Sequence, residues 1–285
     1  MLLRVLVSAM ASFLISTDDL ARDLGAPDLR IVDASWHLDG RDARAEFERL
    51  RIPGAVFFDL DAVSDHSTDL PHMLPTAAAF ARAAGDVGIS ATDRIVVYDT
   101  IGLFSAARVW WTFRLMGAQD VRVLDGGLPR WRAQGRPTGS GPASQAIPAR
   151  FETARRHGAV ADMATVLAAL TGDAQIVDAR PAPRFMGEAA EPRAGLRSGH
   201  MPGALNLPFK ALLDDTGRLL PAAELRARFA DAGVTFDRPI ITSCGSGVTA
   251  AILTLALAEI GEDSALYDGA WAEWGGRPDT PVVTG

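Results

Sequence analysis

An internal repeat is the feature that most limits how this chain can fold. RIVDASW near residue 30 matches QIVDARP near residue 175, and RIPGAVFFDL near residue 51 matches HMPGALNLPF near residue 200. Two further segments of the first half, RIVVYDT and VLDGGLPRW, match PIITSCG and LYDGAWAEW in the second half, in the same order. The copies lie about 145 residues apart. Four landmarks in one order predict two homologous domains of about 120 to 140 residues, an ordinary domain size.

The composition between the copies predicts where the domains begin and end. The stretch GRPTGSGPASQAIPARF is rich in Gly, Pro and Ser and lacks helical or strand periodicity, which is typical of a surface linker. We therefore assign the first domain to residues 16–138, the linker to 139–160 and the second domain to 161–285. We interpret the apolar residues 1–15 as an N-terminal extension or a first strand, because one arginine is a weak positive region for a signal peptide.

Within each copy, short runs rich in valine and isoleucine alternate with helical stretches. RIVD and RIVVYD in the first copy, and QIVDA and PIITS in the second, predict buried strands. Helices are predicted for AARVWWTFRLMG, PAAELRARFADAG and VTAAILTLALAEIG, ending at Gly117, Gly233 and Gly261. Apolar strands that alternate with helices predict an α/β fold, in which each domain has a central, mostly parallel sheet flanked by helices.

The bulk composition excludes several classes of function. The net charge of −7 is spread without a basic block, so we expect no nucleic-acid partner. No segment after the N-terminus is long enough to span a membrane, so we expect no membrane contact. A single cysteine forms no internal disulfide and indicates a reducing compartment, which we take to be the cytoplasm. No dinucleotide, P-loop or metal-ligand spacing is present, so we expect no cofactor and no metal.

The single cysteine, Cys244, directly follows the predicted strand PIITS. Open α/β sheets bind their ligands at the carboxyl ends of the strands. Gly245, Ser246 and Gly247 can turn successive backbone N–H groups inward, and a helix predicted to begin near Val248 adds its positive end. Such a loop binds an anion or stabilises a thiolate, to which Ser246 can donate a hydroxyl hydrogen bond. The alternative is a buried structural cysteine, which a glycine-flanked turn disfavours.

Residue spacing argues against one rival chemistry. Cysteine-dependent phosphatases use a Cys-x5-Arg loop, whose arginine holds the phosphate with two hydrogen bonds. In this chain the corresponding position is Ala250, and the loop residues before it supply no other cation. We therefore do not expect a phosphoester substrate.

These motifs resemble those of the two-domain sulfurtransferases of the rhodanese superfamily. The resemblance runs from about Ser16 to the C-terminus and includes SWHLDGRDA, LDGGLPRW, SGHMPGALNLPF, CGSGVTA and YDGAWAEWG. It implies two α/β domains with a five-stranded sheet each, a catalytic Cys244 in the second domain and an inactive first domain. The first copy agrees, because Asp99 or Thr100 stands where the second copy has the thiol.

The resemblance also implies the substrate and its contacts. Thiosulfate-using members typically carry a basic CRKGVT loop, whereas members that use 3-mercaptopyruvate carry a neutral loop like CGSGVT here. We therefore expect 3-mercaptopyruvate as the sulfur donor, with thiosulfate as the alternative. Arg184 and Arg193 match the two arginines that grip the donor's carboxylate and keto group, a task suited to guanidinium forks. The loop residues expected to contact the substrate are Gly245, Gly247, Val248 and Thr249.

A Ser–His–Asp relay proposed for family members maps onto Ser246, His72 and Asp61. A histidine can move a proton at neutral pH while a carboxylate orients it. The alternative is that His72 only packs at the domain interface, and the sequence leaves both interpretations open.

The expected reaction passes the donor's sulfur through a Cys244 persulfide to a thiol, reduced thioredoxin or cyanide, and releases pyruvate. We expect a monomer. The alternative from another class is a non-catalytic rhodanese-type module that binds a partner or carries sulfur. Retention of Cys244 together with Arg184 and Arg193 argues against it.

Overall fold

Each half of the chain folds into one parallel sheet flanked by helices. The structure is a computed structural model that describes residues 12–143 and 146–285, so residues 1–11 of the expected N-terminal extension lie outside the described residues. The strands of the first half are β1 (Leu14–Ile15), β2 (Leu29–Asp33), β3 (Val56–Phe57), β4 (Arg94–Tyr98) and β5 (Asp120–Leu124). Its helices are α1 (Thr17–Asp23), α2 (Ala43–Arg49), α3 (Leu60–Val63), α4 (Ala77–Asp86), α5 (Ala106–Leu115) and α6 (Gly127–Ala133).

The second half repeats this plan with fewer helices. Its strands are β6 (Val160–Ala161), β7 (Gln175–Asp178), β8 (Leu205–Asn206), β9 (Ile240–Ser243) and β10 (Ala265–Tyr267). Its helices are α7 (Met163–Ala169), α8 (Ala182–Phe185), α9 (Ala222–Asp231), α10 (Ala250–Glu259) and α11 (Ala270–Trp274), with a 3-10 helix at Phe209–Leu212.

The two sheets have the same topology. The strand order is β1-β5-β4-β2-β3 in the first sheet and β6-β10-β9-β7-β8 in the second, and all neighbouring strands run parallel. The α/β prediction and the repeat are confirmed, because strands that match in sequence occupy the same place in each sheet. The central strands are β4 and β9, so their carboxyl ends lie in the middle of each sheet's ligand-binding edge.

Helix α10 is apolar on all sides because it is covered on all sides. Its residues from Ala250 to Leu257 are buried between its own sheet and helix α5 of the other half. The predicted stop at Gly261 is confirmed by a left-handed φ of 81°. The helix begins at Ala250 rather than near Val248, since Gly247, with φ 76°, still belongs to the turn before it. Across the described ranges, no helix is long and apolar enough to cross a membrane.

The segment that joins the halves is bound to the first half. Arg51 pairs with Gly139 in an antiparallel bridge, and its guanidinium donates to the Gly141 carbonyl. Phe151 is only 4% exposed and contacts the rings of Phe80 and Phe113. A surface linker was expected from the Gly, Pro and Ser content, but this one aromatic residue anchors the segment in the core.

Candidate active site

Cys244 is the first residue after the central strand β9, so the fold places its thiol at the ligand-binding edge of the second sheet. The residue is free and 1% exposed, and it lines a cavity of about 150 Å³ between the two halves. The other lining residues are Trp36, Leu38, Phe104, Arg180, Pro181, Arg184, Pro192, Arg193, Phe209, Gly245, Ser246, Val248 and Thr249.

The backbone of the cysteine loop is held by its carbonyl groups. The carbonyls of Cys244 and Gly245 accept hydrogen bonds from the N–H groups of Trp271 and Ala272, both at 2.9 Å. Within the described part of the chain, the N–H groups from Gly245 to Thr249 have no protein acceptor. Unpaired N–H groups in such a turn, followed by the N-terminus of α10, can stabilise a negative charge at Cys244.

Gly247 differs from its neighbours in facing away from the cavity. Its carbonyl lies 3.5 Å from Nη1 of Arg108, and a Cβ at this position would lie 2.9 Å from the same nitrogen. The left-handed φ and this close approach explain why a glycine stands here.

Arg184 lies against the cysteine loop and is oriented by a buried carboxylate. Its Nη2 would lie 3.0 Å from a Cβ on Gly245, and its guanidinium donates to Oε2 of Glu191. The other oxygen of Glu191 accepts a hydrogen bond at 2.7 Å from Arg180, which also pairs with Asp178. Arg180 is therefore neutralised on both sides, whereas Arg184 shares only one carboxylate.

Arg193 supplies the second cation of the cavity. Burial lowers the pKa of its guanidinium and so does the nearby charge of Arg184, while Cys244, Asp61 and Glu191 oppose this change. An arginine with a lowered pKa still carries its charge at neutral pH. In residues 12–143 and 146–285 no carboxylate forms a salt bridge with it. Arg193 thus brings to the cavity of Cys244 a positive charge that no salt bridge in those residues neutralises.

The three residues of the expected relay meet across the domain boundary. Nδ1 of His72 lies 3.1 Å from Oγ of Ser246, and its Nε2 lies 3.0 Å from Oδ1 of Asp61. The hydrogen bond from His72 lowers the pKa of Asp61, as does one from the indole of Trp36. His72 therefore lies at the interface in contact with both expected partners, and its role in proton transfer stays a prediction.

In the equivalent loop of the first half, one side chain of the loop accepts hydrogen bonds from the backbone N–H groups. Asp99 is the first residue after β4, and its carboxylate accepts four backbone N–H groups at 2.7–3.0 Å, from Ile101, Gly102, Phe104 and Ala106. The donors that are free around Cys244 are therefore occupied here. The first half lacks both a thiol and a free anion cradle.

Two groups of charged residues next to the site were missed by the sequence reasoning. Glu191 lies inside the motif that was recognised for its arginines, but a charged loop residue gives no signal of burial. Arg108 and Asp268 form a buried ion pair behind the cysteine loop. Their separation in sequence hides a contact that only the packing of the two halves creates. Within the described ranges, no cluster of His, Cys, Asp and Glu is arranged to hold a metal ion.

Fold and site together define a tandem α/β protein with one cysteine-bearing loop, and the comparisons identify this class. The model of the rhodanese-like domain matches residues 16–134 and 163–277, so the chain belongs to the rhodanese family. It is 45% identical to the 3-mercaptopyruvate sulfurtransferase of Escherichia coli K12, over 95% of this chain and 98% of that protein. It is 44% identical to the mitochondrial thiosulfate/3-mercaptopyruvate sulfurtransferase 1 of Arabidopsis thaliana, over 94% and 77%.

A solved structure agrees with both sequence comparisons. The crystal structure of SseA from Escherichia coli, described as a 3-mercaptopyruvate sulfotransferase with the rhodanese fold, superposes with a TM-score of 0.85. The sequences are 42% identical, and the match covers 92% of this chain and 99% of that one. The expected rhodanese family and its sulfurtransferase class are thereby confirmed.

Proposed function

We propose that this protein transfers the sulfur of 3-mercaptopyruvate to an acceptor through a persulfide on Cys244. The observation that carries the proposal is the position of Cys244 at the start of a loop whose N–H groups have no acceptor among the described residues, with Arg184 and Arg193 in the same cavity. A thiolate nucleophile needs stabilisation of its negative charge, and a small anionic donor needs cations close to it.

The cavity has the size and polarity for such a donor. A volume of about 150 Å³ fits a molecule of few heavy atoms. Arg184 and Arg193 bind the carboxylate and keto oxygens, while Gly245, Val248 and Thr249 bound the loop side of the pocket. The apolar wall of Trp36, Phe104 and Phe209 excludes water from the reacting sulfur.

The first half-reaction balances within the site. The Cys244 thiolate attacks the donor's sulfur, so that an S–S bond forms and the C–S bond breaks. The electron pair of the C–S bond stays on carbon as the enolate of pyruvate. The proton of the donor's thiol ends on that carbon, which leaves a persulfide anion on Cys244 and free pyruvate. The cysteine sulfur is oxidised to the persulfide level and the donor carbon is reduced.

The relay provides a path for this proton. Since Nε2 of His72 faces the Asp61 carboxylate, Nδ1 is the position that exchanges a proton with Ser246. His72 accepts the donor's thiol proton through Ser246 and returns it to the enolate by the same route. The charge of Asp61 stabilises the protonated imidazole in between.

The second half-reaction regenerates the thiolate. An acceptor thiolate, from a small thiol or reduced thioredoxin, attacks the outer sulfur and leaves as a new persulfide; cyanide leaves as thiocyanate. We propose that the protein works as a monomer in the cytoplasm, where its only cysteine stays reduced.

The deciding experiment follows the persulfide directly. Wild-type protein mixed with 3-mercaptopyruvate and no acceptor should gain the mass of one sulfur atom and release one equivalent of pyruvate. The Cys244→Ser variant should show neither change while its circular dichroism stays that of wild type. Pyruvate release by this variant would refute the proposal, and a wild-type protein without added sulfur would instead identify a non-catalytic module.

Thiosulfate is the second candidate donor, favoured by the double name of the Arabidopsis relative. The loop argues against it, because Gly245 and Ser246 stand where a basic loop would place two cations for a dianion. We expect kcat/KM to be higher for 3-mercaptopyruvate than for thiosulfate. A clear preference for thiosulfate would reverse this assignment.

A further inference from the structure

A buried ion pair joins the two halves directly behind the proposed active site. Arg108, on helix α5, is 1% exposed, and its Nη2 lies 2.6 Å from Oδ1 of Asp268, the residue after β10. The guanidinium also stacks over the ring of Trp111 at 4.6 Å. Neither residue lines the cavity, so the pair does not touch a bound donor.

The pair holds the segment that carries His72. Nη2 of Arg108 donates to the His72 carbonyl at 2.6 Å. The second carboxylate oxygen of Asp268 accepts the N–H of Leu74 at 2.8 Å. Hydrogen bonds thus hold the backbone on both sides of Met73. Arg108 of the first half binds the residue before it, and Asp268 of the second half binds the residue after it.

These hydrogen bonds matter because the backbone of His72 is strained. Its φ of 59° lies in the left-handed region, which costs free energy for a residue with a side chain. A strained conformation persists only where the surroundings impose it. This conformation puts the imidazole between Ser246 and Asp61, so releasing the grip would let it leave the relay.

The same pair is linked to the cysteine loop. Nη1 of Arg108 approaches the Gly247 carbonyl, and the helix α11 that begins just after Asp268 donates its N–H groups to the carbonyls of Cys244 and Gly245. Arg108 and Asp268 therefore connect the histidine of one half with the serine and cysteine of the other.

We infer that Arg108 and Asp268 are positioning residues that set His72 against Ser246 for proton transfer. Stability alone is a weak reason for the pair, since apolar residues often replace a buried ion pair without loss. Two fixed hydrogen bonds to the histidine segment are what an apolar replacement would not supply. The inference rests on the proposed function, in which a proton must reach the pyruvate enolate.

A comparison of donors separates positioning from general damage. The leaving group of 3-mercaptopyruvate must gain a proton on carbon, whereas sulfite leaves thiosulfate without one. A fault in the relay should therefore affect the first donor selectively, and a damaged fold should affect both.

The test is a mutant cycle between the pair and the histidine. Arg108→Met with Asp268→Asn removes both charges at nearly constant volume, so neither charge is left buried alone. The hydrogen bond from Arg108 to the His72 carbonyl is lost, whereas the amide oxygen of the asparagine can still accept the Leu74 N–H. With 3-mercaptopyruvate, His72→Ala should lower kcat/KM by about 100-fold and the paired change by about 10-fold or more. In the His72→Ala background, the paired change should cost less than about a further 2-fold, because coupled residues are not additive. With thiosulfate, each loss should stay below about 3-fold, within the range of minor perturbation.

A control is another ion pair between the halves, in which Nε of Arg218 lies 2.7 Å from Oδ2 of Asp125. This pair contacts neither His72 nor the cysteine loop, so Arg218→Gln should leave kcat/KM unchanged with both donors. If the paired variant does not fold, Arg108→Lys keeps the charge opposite Asp268 but lacks the fork that reaches the His72 carbonyl as well. It should show the same selective loss.

Three results overturn the inference: multiplicative losses in the combined variant, equal losses with both donors, or unchanged activity after the paired change. Failure of the proposed function looks different, since wild-type protein would then form no persulfide with 3-mercaptopyruvate.

Discussion

The charges around Cys244 are unequal although the sequence shows three arginines close together. Arg180 is enclosed by Asp178 and Glu191, and Arg184 shares the buried Glu191. Among the described residues no carboxylate forms a salt bridge with Arg193, and burial removes solvation from its guanidinium. A donor carboxylate would relieve this cost, so Arg193 should contribute the largest share of donor affinity.

Replacing Arg193 tests whether this residue contributes the largest share of donor affinity. Arg193→Gln should raise KM for 3-mercaptopyruvate by about 10- to 100-fold, because a charge-assisted hydrogen bond is worth about 1.5–3 kcal/mol. The value of kcat should change less, since the contact exists already in the bound ground state. Steady-state kinetics provide the measurement, with Arg150→Gln, an exposed linker residue, as control. A fall in kcat at constant KM would contradict the assigned role.

The same strand–loop–helix element occurs in both halves, but its loop N–H groups are bound by a side chain in the first half and not in the second. After β4, the Asp99 carboxylate satisfies four N–H groups of its own loop. After β9, a shorter side chain with a sulfur leaves the equivalent donors free for a charged reaction partner. The matched strands were predictable from the repeat, but the filling of the first loop was not. An aspartate after a strand is also common as a simple turn residue.

Asp99→Ala should therefore destabilise the protein. Removing the carboxylate leaves several N–H groups without their acceptor, at a cost of about 1–3 kcal/mol for each that water cannot reach. The free energy of unfolding from urea titration should fall by about 3 kcal/mol, with less loss for Asp99→Asn, which keeps one acceptor oxygen. Asp39→Ala, an exposed change, should alter it by less than about 0.5 kcal/mol. Equal changes in the free energy of unfolding for Asp99→Ala and Asp39→Ala would show that the hydrogen bonds accepted by Asp99 do not stabilise the protein.

The two halves share one large part of their apolar core, and each half also has a smaller apolar cluster of its own. Buried residues from both sheets belong to one continuous apolar cluster, in which helices α5 and α10 pack against each other. This explains the long apolar sequence of α10, which would be too hydrophobic for a helix with one exposed face. The proposed active site lies at the edge of this shared interface, and it takes His72 from one half and Ser246 from the other.

A shared core predicts a single unfolding transition. Separate domains would unfold one after the other, whereas the continuous cluster makes each half depend on its partner. Tryptophan fluorescence and far-ultraviolet circular dichroism in urea should give coincident curves with one midpoint. Both halves report on it, through Trp110 and Trp131 in the first and Trp271 and Trp274 in the second. Two resolved midpoints would contradict this expectation.

The amino-acid sequence was sufficient to predict the two α/β halves, the main strands along the chain and the place of Cys244 after one of them. These features depend on apolar periodicity and on residues that are neighbours along the chain. The family resemblance suggested that His72 meets Ser246. Only the tertiary structure shows that Glu191 pairs with Arg184 and that Arg108 and Asp268 hold the histidine segment. Such contacts join residues far apart in sequence. Their energies depend on burial and on distances of a few ångströms, and both arise only when the two halves pack together.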